Sequence, residues 1–381
     1  MKISVIAPTY LPARRANTVQ VMKMSQALVD LGHVVRLLVP GVPAQEPGWE
    51  ELALHYGLES RFEVFWLPAI PSLRRYDFSF RAVREARRWA ADLLYTRLPQ
   101  AAALASLTRL GTIFEVHDLP AGWMGPFLFR RFLYGSGARR LVVITHALAA
   151  DLQKRFETPL DLPFTLVAPD GVDLARYQDL PAPQAARQEL FERHGWQLGF
   201  TAGYSGHFYS GRGIHVMLEL AARLPQVSFL LVGGEPQAVS RLQEQVKALG
   251  LHNLYLPGFI SNAELPLYQA ACDLLLMPYQ GSVSASSGGD IARYLSPMKM
   301  FEYLASGRAV LSSDLPVLRE VLNAANAVLL PPEDIHAWAQ AVQSLQADPA
   351  RCAALGEQAR ADAQGYTWES RARRILERLE L

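Results

Sequence analysis

Residues 3–39 read ISVIAPTYLPARRANTVQVMKMSQALVDLGHVVRLLV. Two continuous apolar runs, residues 3–7 and 34–39, flank a segment with one apolar helical face. That face consists of Val21, Met24, Leu28 and Leu31. We expect Asn17 to cap this helix and Gly32 to end it. A strand, a helix and a second strand in this order form the unit of a parallel α/β sheet, whose strands are apolar throughout because helices cover both faces.

The same alternation continues along the chain. The first half contains strand candidates at Ile3–Ala7, Val34–Val39, Phe62–Leu67, Leu93–Tyr95, Thr112–Val116, Leu141–Ile144 and Thr165–Ala168. The second half contains them at Phe200–Tyr204, Val227–Val232, Leu254–Leu256, Leu274–Met277, Ala309–Ser312 and Ala327–Leu330. Between the two series, residues 178–187 contain two prolines and no apolar period, which is typical of a linker. The pattern predicts two doubly wound domains, residues 1–178 and 197–366, joined by a linker at 179–196.

The composition excludes several classes of function. The chain of 381 residues is 50% hydrophobic and has a formal net charge of +1, so it lacks the basic character of a nucleic-acid-binding domain. Cys272 and Cys352 are too few for a disulfide framework or a four-ligand zinc site, and we expect both to be buried small residues. The apolar run after Met1 is too short for a signal-peptide core, and no run of about 18 uncharged apolar residues occurs. We therefore expect a cytoplasmic protein, or one peripheral on the cytosolic face of a membrane.

A glycine-bearing turn, GYSGHFYSGRG at residues 203–213, follows the first strand candidate of the second domain. Neither a dinucleotide-binding fingerprint nor a P-loop follows any strand candidate, which disfavours hydride transfer and nucleoside triphosphate hydrolysis. The backbone N–H groups of this turn, the helix that begins near Ile214 and the guanidinium of Arg212 suit a pyrophosphate. The alternative is a tight turn with a solvent-exposed arginine.

Two further segments place polar side chains where ligands bind in doubly wound sheets. In SPMKMFEYLASG, residues 296–307, Pro297 suits the first turn of a helix and Gly307 suits its end. Glu302 lies among apolar neighbours on that helix, where a ribose diol is a good partner for its carboxylate, and a surface glutamate is the alternative. His117 follows the strand candidate Thr112–Val116 and can donate to a substrate oxygen or act as an acid or base, whereas a structural histidine is the alternative.

In their order, these segments resemble the retaining family 4 glycosyltransferases. Enzymes of that family have the GT-B fold, in which two Rossmann-like domains face each other across a cleft. The resemblance covers nearly the whole chain and is most specific at Asp170–Asp173 and Ser296–Gly307. It implies that the first domain binds the acceptor and the second binds the nucleotide sugar. We expect the C-terminal helix, residues 367–381, to pack back towards the first domain.

The resemblance also implies roles for single residues. Arg212 corresponds to the basic residue that holds the donor pyrophosphate, and Glu302 corresponds to the glutamate that binds the nucleotide ribose. His117 corresponds to the histidine beside the transferred sugar, so His117 and Arg212 are the candidate catalytic residues. The other implied donor-binding positions are Gly206, His207, Gly233, Ser296, Pro297, Met298 and Lys299. The loop after the first strand faces the acceptor and contains Arg14, Arg15 and Asn17.

Three features depart from the family pattern. Tyr294 stands where the first glutamate of the Glu-x7-Glu motif is expected, so the identity of the donor sugar cannot be inferred from the family. Asp290 is a candidate substitute for that glutamate. His207 stands where many members have an arginine, which leaves Arg212 as the main cation with Lys299 assisting it. The glycine pair that often follows the first strand is absent.

The implied function is the transfer of a sugar from a nucleotide diphosphate sugar, of UDP or GDP type, to a glycan or lipid-linked acceptor. No cofactor and no metal site are expected, and no nucleic-acid partner. One alternative is a nucleotide-sugar epimerase or a phosphorylase of the same architecture. The other is a degenerate donor-binding protein, which the missing first glutamate at Tyr294 suggests.

The charge is unevenly distributed along the chain. Residues 74–140 contain 12 arginines and five acidic residues. Segments 74–89 and 127–140 interleave these arginines with aromatic residues, a combination that suits an anionic membrane surface. The alternatives are a solvated face with aromatic core residues, a soluble partner, or an anionic sugar acceptor.

Overall fold

A computed structural model describes residues 1–159, 164–284 and 289–379 of the chain. The chain forms two compact units, one of Met1–Asp170 with Trp368–Leu381 and the other of Gly171–Thr367. The change of unit therefore falls at Asp170 rather than at residue 178, and the last helix belongs to the first unit.

The first unit contains a seven-stranded sheet in the order β3-β2-β1-β4-β5-β6-β7, and every pair of neighbours is parallel. The strands are β1 (Lys2–Ile6), β2 (Val34–Pro40), β3 (Glu63–Leu67), β4 (Leu93–Thr96), β5 (Thr112–Val116), β6 (Ala138–Val143) and β7 (Thr165–Val167). Each coincides with a predicted strand to within a few residues, because the continuous apolar runs are the strands that helices bury on both faces.

Within the described residues, six α-helices connect these strands. They are α1 (Ala16–Asp30), α2 (Trp49–Tyr56), α3 (Tyr76–Arg88), α4 (Pro99–Leu107), α5 (Met124–Leu133) and α6 (His146–Phe156). Gly32 ends α1 as predicted: it has φ +83°, and the N–H of His33 bonds to the carbonyl of Leu28. The predicted cap was wrong, because Arg15 occupies the N-cap without a side-chain hydrogen bond and Asn17 lies in the first turn.

The second unit contains a six-stranded parallel sheet in the order β10-β9-β8-β11-β12-β13. Its strands, all predicted from the sequence, are β8 (Thr201–Ser205), β9 (Ser228–Val232), β10 (Leu254–Gly258), β11 (Leu274–Met277), β12 (Ala309–Ser313) and β13 (Val328–Leu330). Its helices are α7 (Pro183–His194), α8 (Ile214–Arg223), α9 (Pro236–Ala248), α10 (Leu265–Ala270), α11 (Met298–Ser306), α12 (Ile335–Ala347) and α13 (Pro349–Ala363). The chain then returns to the first unit in α14 (Trp368–Leu376).

The segment predicted as a linker is mostly helical. α7 occupies residues 183–194 and starts with Pro183 at a first-turn position, where proline favours a helix instead of breaking it. Only Ala186 and Leu190 of α7 are buried, so the helix has little of the apolar period by which a helix is identified in a sequence.

The helices bear on one expectation from the sequence and the cysteines on another, which is met at Cys272 but not fully at Cys352. In the part of the chain that the structure describes, no helix combines the length and apolar character that crossing a bilayer requires. Cys272 is buried and Cys352 partly buried, and both are free thiols.

Candidate active site

The carboxyl ends of the strands bring several chemically active side chains to one edge of the first sheet. The loop after β1 contains Arg14 and Arg15, both exposed. Arg97 directly follows β4, His117 directly follows β5, and Asp170 lies shortly after β7. Parallel strands end at the same edge of a sheet, which is where ligands bind in doubly wound folds.

Glu115, the fourth residue of β5, is the centre of this cluster and is fully buried. One of its oxygens accepts hydrogen bonds from His117 Nε2 and from Gln20 Nε2, the latter at 2.6 Å. The other oxygen accepts a hydrogen bond from the Tyr95 hydroxyl and lies 3.0 Å from Arg371 Nη2. A carboxylate has about four lone-pair sites, so all of those on Glu115 are used.

Arg371, on α14, is 3% exposed and connects three segments of the first unit. Besides Glu115, its guanidinium donates to the carbonyl oxygens of Ala168 and Pro169 at 3.2 and 2.9 Å, and to the Tyr95 hydroxyl at 3.2 Å. The last helix of the chain thereby stabilises both the end of β5 and the segment that follows β7.

The surroundings of the cluster shift its protonation equilibria in different directions. Burial alone would raise the pKa of Glu115, but Arg371 and His117 outweigh it and lower the pKa to about 2. Burial and the nearby Arg97 lower the pKa of His117 to about 4, although Glu115 opposes this shift. Burial and the charge of Glu115 raise the pKa of Asp170 to about 6 against the effect of the two arginines. At neutral pH, Glu115 is therefore ionised and His117 is neutral.

Three of these side chains, those of Glu115, His117 and Asp170, are of types that can bind a metal ion. Among the described residues, one atom from each of Glu115, His117 and Asp170 lies within 4.8 Å of the other two. The charge of Glu115 is already paired with Arg371, and Arg97 adds a second guanidinium close to His117 and Asp170. A divalent cation here would meet two fixed positive charges, so the arrangement favours a metal-free site.

In the second unit, β8 ends at Ser205 and continues into the predicted glycine turn. Gly206 has φ +139°, and a Cβ there would lie 2.8 Å from Lys299 Nζ. Gly233, after β9, has φ +114°, and a Cβ added there would overlap the carbonyl oxygen of Gly206. Glycine at both positions lets the two strand ends approach each other and leaves the turn open beside the lysine.

Two cations lie together beside this turn. Arg212 Nη1 donates to the Tyr279 hydroxyl at 2.7 Å. Lys299 Nζ lies 3.7 Å from the centre of the Tyr204 ring and 5.6 Å from that of Tyr279. Among the described residues, Lys299 Nζ and Arg212 Nε are buried without a hydrogen-bond partner. Burial and Arg212 hold the pKa of Lys299 well below its usual value, although Glu302 opposes this shift. A buried ammonium group and a buried guanidinium N–H that lack a hydrogen-bond partner form a binding site for an anion.

The helix α11 positions Glu302 close to these cations. Gly307 ends the helix in the left-handed conformation as predicted, whereas Pro297 occupies the N-cap instead of the first turn. The buried Ser296 precedes this cap, and Met298 begins the helix. Glu302 is half-buried. Burial and the charge of Glu302 raise the pKa of Tyr177 well above its usual value.

The positions that depart from the family pattern have local partners. The His207 ring stacks on Tyr209 with ring centres 4.8 Å apart, and His207 Nδ1 lies 4.0 Å from Glu235. Tyr294 is buried in a short 3-10 helix, Ala292–Tyr294. Asp290 is exposed, and its Oδ1 accepts the backbone N–H groups of Val283 and Ala292, both at 2.9 Å, which lower its pKa. Its role at the donor sugar stays a prediction.

Sequence reasoning did not single out Glu115, Arg97 or Arg371. Glu115 could have been found, because a glutamate inside a continuous apolar strand needs a buried partner. Arg97 could have been found by its place, directly after a strand as His117 is. Arg371 gives no such signal, because it lies on an arginine-rich helix in which Arg373 is exposed.

Two family models match the chain, one in each half. Residues 18–176 match the model described as Glycosyltransferase Family 4, and residues 199–348 match the model described as Glycosyl transferases group 1. Among curated proteins, the phosphatidyl-myo-inositol mannosyltransferase of Mycolicibacterium smegmatis is 24% identical over 99% of this chain and 92% of its own length. A GDP-mannose-dependent alpha-(1-6)-phosphatidylinositol monomannoside mannosyltransferase of the same organism is 26% identical over 80% of this chain and 86% of its own.

Solved structures show the same fold. Anabaena HepE in complex with UDP has a TM-score of 0.74 and 19% identity, and the match covers 99% of each chain. The sucrose-phosphate synthase of Thermosynechococcus elongatus has a TM-score of 0.74 and 20% identity, with 97% of this chain and 96% of that one covered. The chain therefore has the same fold as these two proteins.

Proposed function

The chain belongs to glycosyltransferase family 4 and has the GT-B fold, and on this premise we propose that it transfers a sugar, with retention of configuration, from a nucleotide diphosphate sugar to a glycan or lipid-linked acceptor. The matching family models and the relatives named above are glycosyltransferases, so the epimerase or phosphorylase alternative gains no support. The second unit binds the donor in this proposal, and the first unit binds the acceptor.

The cation pair of Arg212 and Lys299, both half-buried, is the observation that carries this proposal. Its two side chains converge on the glycine turn after β8, and neither Lys299 Nζ nor Arg212 Nε has a hydrogen-bond partner within the described residues. The charge of Glu302 raises the pKa of Lys299. A diphosphate supplies the missing negative charge, and a nucleotide ribose beside it supplies hydroxyls for Glu302.

The reaction places charge where these cations lie. The bond between the anomeric carbon and the β-phosphate oxygen breaks, the bond to the acceptor oxygen forms, and the acceptor's hydroxyl proton passes to the departing diphosphate. Arg212, Lys299 and the N–H groups at the start of α11 stabilise that diphosphate, and one preorganised donor of this kind is worth about 3 kcal/mol. Because these groups meet the charge, no metal ion is required, and His117 is the candidate residue of the first unit that contacts a substrate sugar.

A donor screen tests the proposal. The GDP-mannose-dependent relative makes GDP-mannose and GDP the ligands to try first. UDP and UDP-glucose are compared because HepE is in complex with UDP, and ADP is the further comparison. We expect one nucleoside diphosphate to raise the unfolding temperature, since a ligand at a hundred times its Kd stabilises by about 2.7 kcal/mol. Transfer from the matching sugar to an inositol lipid or a glycan should survive EDTA. Stabilisation without turnover on any acceptor would favour the degenerate donor-binding alternative.

Replacing Lys299 by methionine separates stability from function. Burial lowers the pKa of Lys299, so the folded state disfavours its charge and the ligand-free protein loses stability at neutral pH. We expect Lys299→Met to raise the unfolding temperature of the ligand-free protein while it lowers kcat and abolishes the stabilisation by nucleoside diphosphate. A ligand-free variant that unfolds below the wild-type temperature would contradict this view of the cation pair.

Replacing Glu302 tests the ribose contact. Glu302→Gln keeps the shape of the side chain but removes the charge, and a hydrogen bond to a charged group contributes about 1.5–3 kcal/mol. We expect the Kd for the nucleoside diphosphate to rise about 10- to 150-fold, measured by isothermal titration calorimetry. Glu244→Gln, on the exposed face of α9, is the matched control and should leave the Kd unchanged. An equal Kd for both variants would remove Glu302 from the nucleotide site.

We further propose that segments 74–89 and 127–140 bind an anionic membrane, with the protein on its cytosolic face. α3 buries Phe78, Ala82 and Val83 but exposes Phe80 at 58% together with Arg81, Arg84 and Arg88. In and beside the second segment, the exposed aromatic residues are Trp123, Phe127 and Tyr134. Exposed rings interleaved with arginines suit the interface of an anionic bilayer, and each basic residue contributes about 1 kcal/mol there.

Co-sedimentation with lipid vesicles tests whether these two segments bind an anionic membrane. We expect co-sedimentation with phosphatidylglycerol vesicles but not with phosphatidylcholine vesicles, and weaker binding at high salt. Changing Arg81, Arg84 and Arg88 together to glutamate should abolish it. The matched control changes Arg223 and Arg241, both exposed in the second unit, and should bind as the wild type does. Equal, negligible binding to both lipids would reject the membrane and favour a soluble acceptor.

A further inference from the structure

The hydrogen bonds around Glu115 decide which nitrogen of His117 carries the proton. Arg97 Nη1 donates to Gln20 Oε1 at 2.9 Å, so the amide nitrogen of Gln20 faces Glu115 and donates to it at 2.6 Å. The Tyr95 hydroxyl and Arg371 donate to the other oxygen of Glu115. An ionised carboxylate can only accept, so His117 Nε2, which contacts Glu115, must carry a hydrogen.

We propose that Glu115, held by Arg371, fixes His117 as the Nε2–H tautomer, so that Nδ1 is a hydrogen-bond acceptor for a sugar hydroxyl of the bound substrate. The inference rests on the proposed function for its substrate. Glu115 and Arg371 are then positioning residues. His117 is 20% exposed, and its bond to Glu115 is the only hydrogen bond that it makes within the described residues, so Nδ1 is left for a ligand.

Protonation does not disturb this arrangement near neutral pH. The charged groups that face the ring are Glu115 on its own strand, Arg97 after β4, Asp170 after β7 and Arg371 on α14. Burial and Arg97 lower the pKa of His117 to about 4, so the imidazole is neutral and has one donor nitrogen and one acceptor nitrogen. The sequence-based expectation that His117 donates to a substrate oxygen is thereby reversed: in this tautomer it accepts.

The variant Glu115→Gln should reverse the tautomer. The oxygen of a glutamine at this position accepts from Arg371 and Tyr95, and its NH2 group then faces His117 and donates to Nε2. The NH2 group of Gln20, which donates to the same oxygen of Glu115 in the wild type, loses its acceptor and must turn away. The proton moves to Nδ1, which can no longer accept from a hydroxyl. We expect kcat to fall about tenfold to a hundredfold, the effect of one lost hydrogen bond at a reacting substrate, while the Kd for the nucleoside diphosphate stays unchanged.

Nitrogen-15 NMR on the histidine-labelled full chain measures the tautomer without substrate. The signals of His117 among the nine histidines are assigned by their loss in His117→Ala. The expected wild-type spectrum at pH 7 shows a protonated Nε2 and a bare Nδ1, reversed in Glu115→Gln. A protonated Nδ1 in the wild type overturns the proposal, and this measurement needs no variant to fold except for the assignment.

Kinetic measurements then distinguish a failure of the acceptor role of His117 Nδ1 from a failure of the proposed function of His117. A reversed tautomer in Glu115→Gln with unchanged kcat, when His117→Ala is inactive, overturns the acceptor role of Nδ1. Full activity of His117→Ala overturns both the acceptor role and the place of His117 in the proposed function, whereas the tautomer measured by NMR stands. A rate loss in Glu115→Gln that comes with the reversed tautomer and an unchanged nucleotide Kd supports the proposal, because mere destabilisation would not reverse the tautomer.

Discussion

Replacing Arg212 by alanine should lower kcat by two to three orders of magnitude. Negative charge on the diphosphate grows as the sugar departs, and a preorganised donor aimed at such charge is worth about 3–4 kcal/mol in the transition state. The nucleotide carries much of this charge before the reaction, so its Kd should rise by a smaller factor than kcat falls. Single-turnover kinetics with the donor identified in the screen, together with calorimetry of the nucleoside diphosphate, measure the two effects separately.

Arg223→Ala is the matched control for this experiment. Arg223 lies at the far end of α8, the helix that follows the Arg212 turn, and its side chain is 50% exposed beside Glu219. The variant removes the same charge from the same unit but leaves the cation pair intact, so kcat and Kd should equal those of the wild type. Equal kcat values for Arg212→Ala and Arg223→Ala would exclude Arg212 from leaving-group stabilisation.

The strands could be predicted closely from the sequence because a buried parallel strand has a local signature. β5 and β11 were predicted to the residue, and Gly32 and Gly307 ended their helices as expected. α7 was missed because few of its residues are buried and its first proline resembles a break. Local signals therefore identify elements in the core, and they fail for a helix that buries too few residues to show an apolar period.

The candidate site was predicted only where a motif marks it. His117, Arg212, Lys299 and Glu302 stand at the ends of strands or on the helix of a recognisable segment, and in the second unit the structure brings Arg212, Lys299 and Glu302 together. The partner of Glu115 could not be found in this way. Arg371 lies 256 residues further along the chain, and the fold alone brings it to 3.0 Å from the carboxylate. A long-range contact of this kind has no local pattern.

The largest effect on stability should come from Arg371→Ala. The side chain is buried against a fully buried Glu115, and removing one partner of a buried ion pair costs about 3–5 kcal/mol because the other charge is left uncompensated. The variant also removes the hydrogen bonds to the carbonyl groups of Ala168 and Pro169. Urea denaturation at pH 7 measures the loss. Arg373→Ala, which removes a 68% exposed arginine from the same helix, is the matched control and should change stability by less than about 0.5 kcal/mol.

The pH dependence identifies the ion pair as the source of this loss. In the wild type, Arg371 and His117 lower the pKa of Glu115 to about 2, so the contribution of the pair is complete above the ordinary carboxyl pKa and is lost as the pH falls towards 2. Without Arg371, Glu115 takes up a proton at a higher pH than in the wild type. Once protonated, its carboxyl group is neutral, so it is no longer an unpaired buried charge. The difference in unfolding free energy between wild type and Arg371→Ala should therefore shrink as the pH falls below about 5. A difference that stays constant from pH 7 to pH 3 would assign the loss to packing instead.

If Arg371→Ala does not fold, the double variant Arg371→Met with Glu115→Gln still tests the pair, since removing both charges together should recover much of the stability.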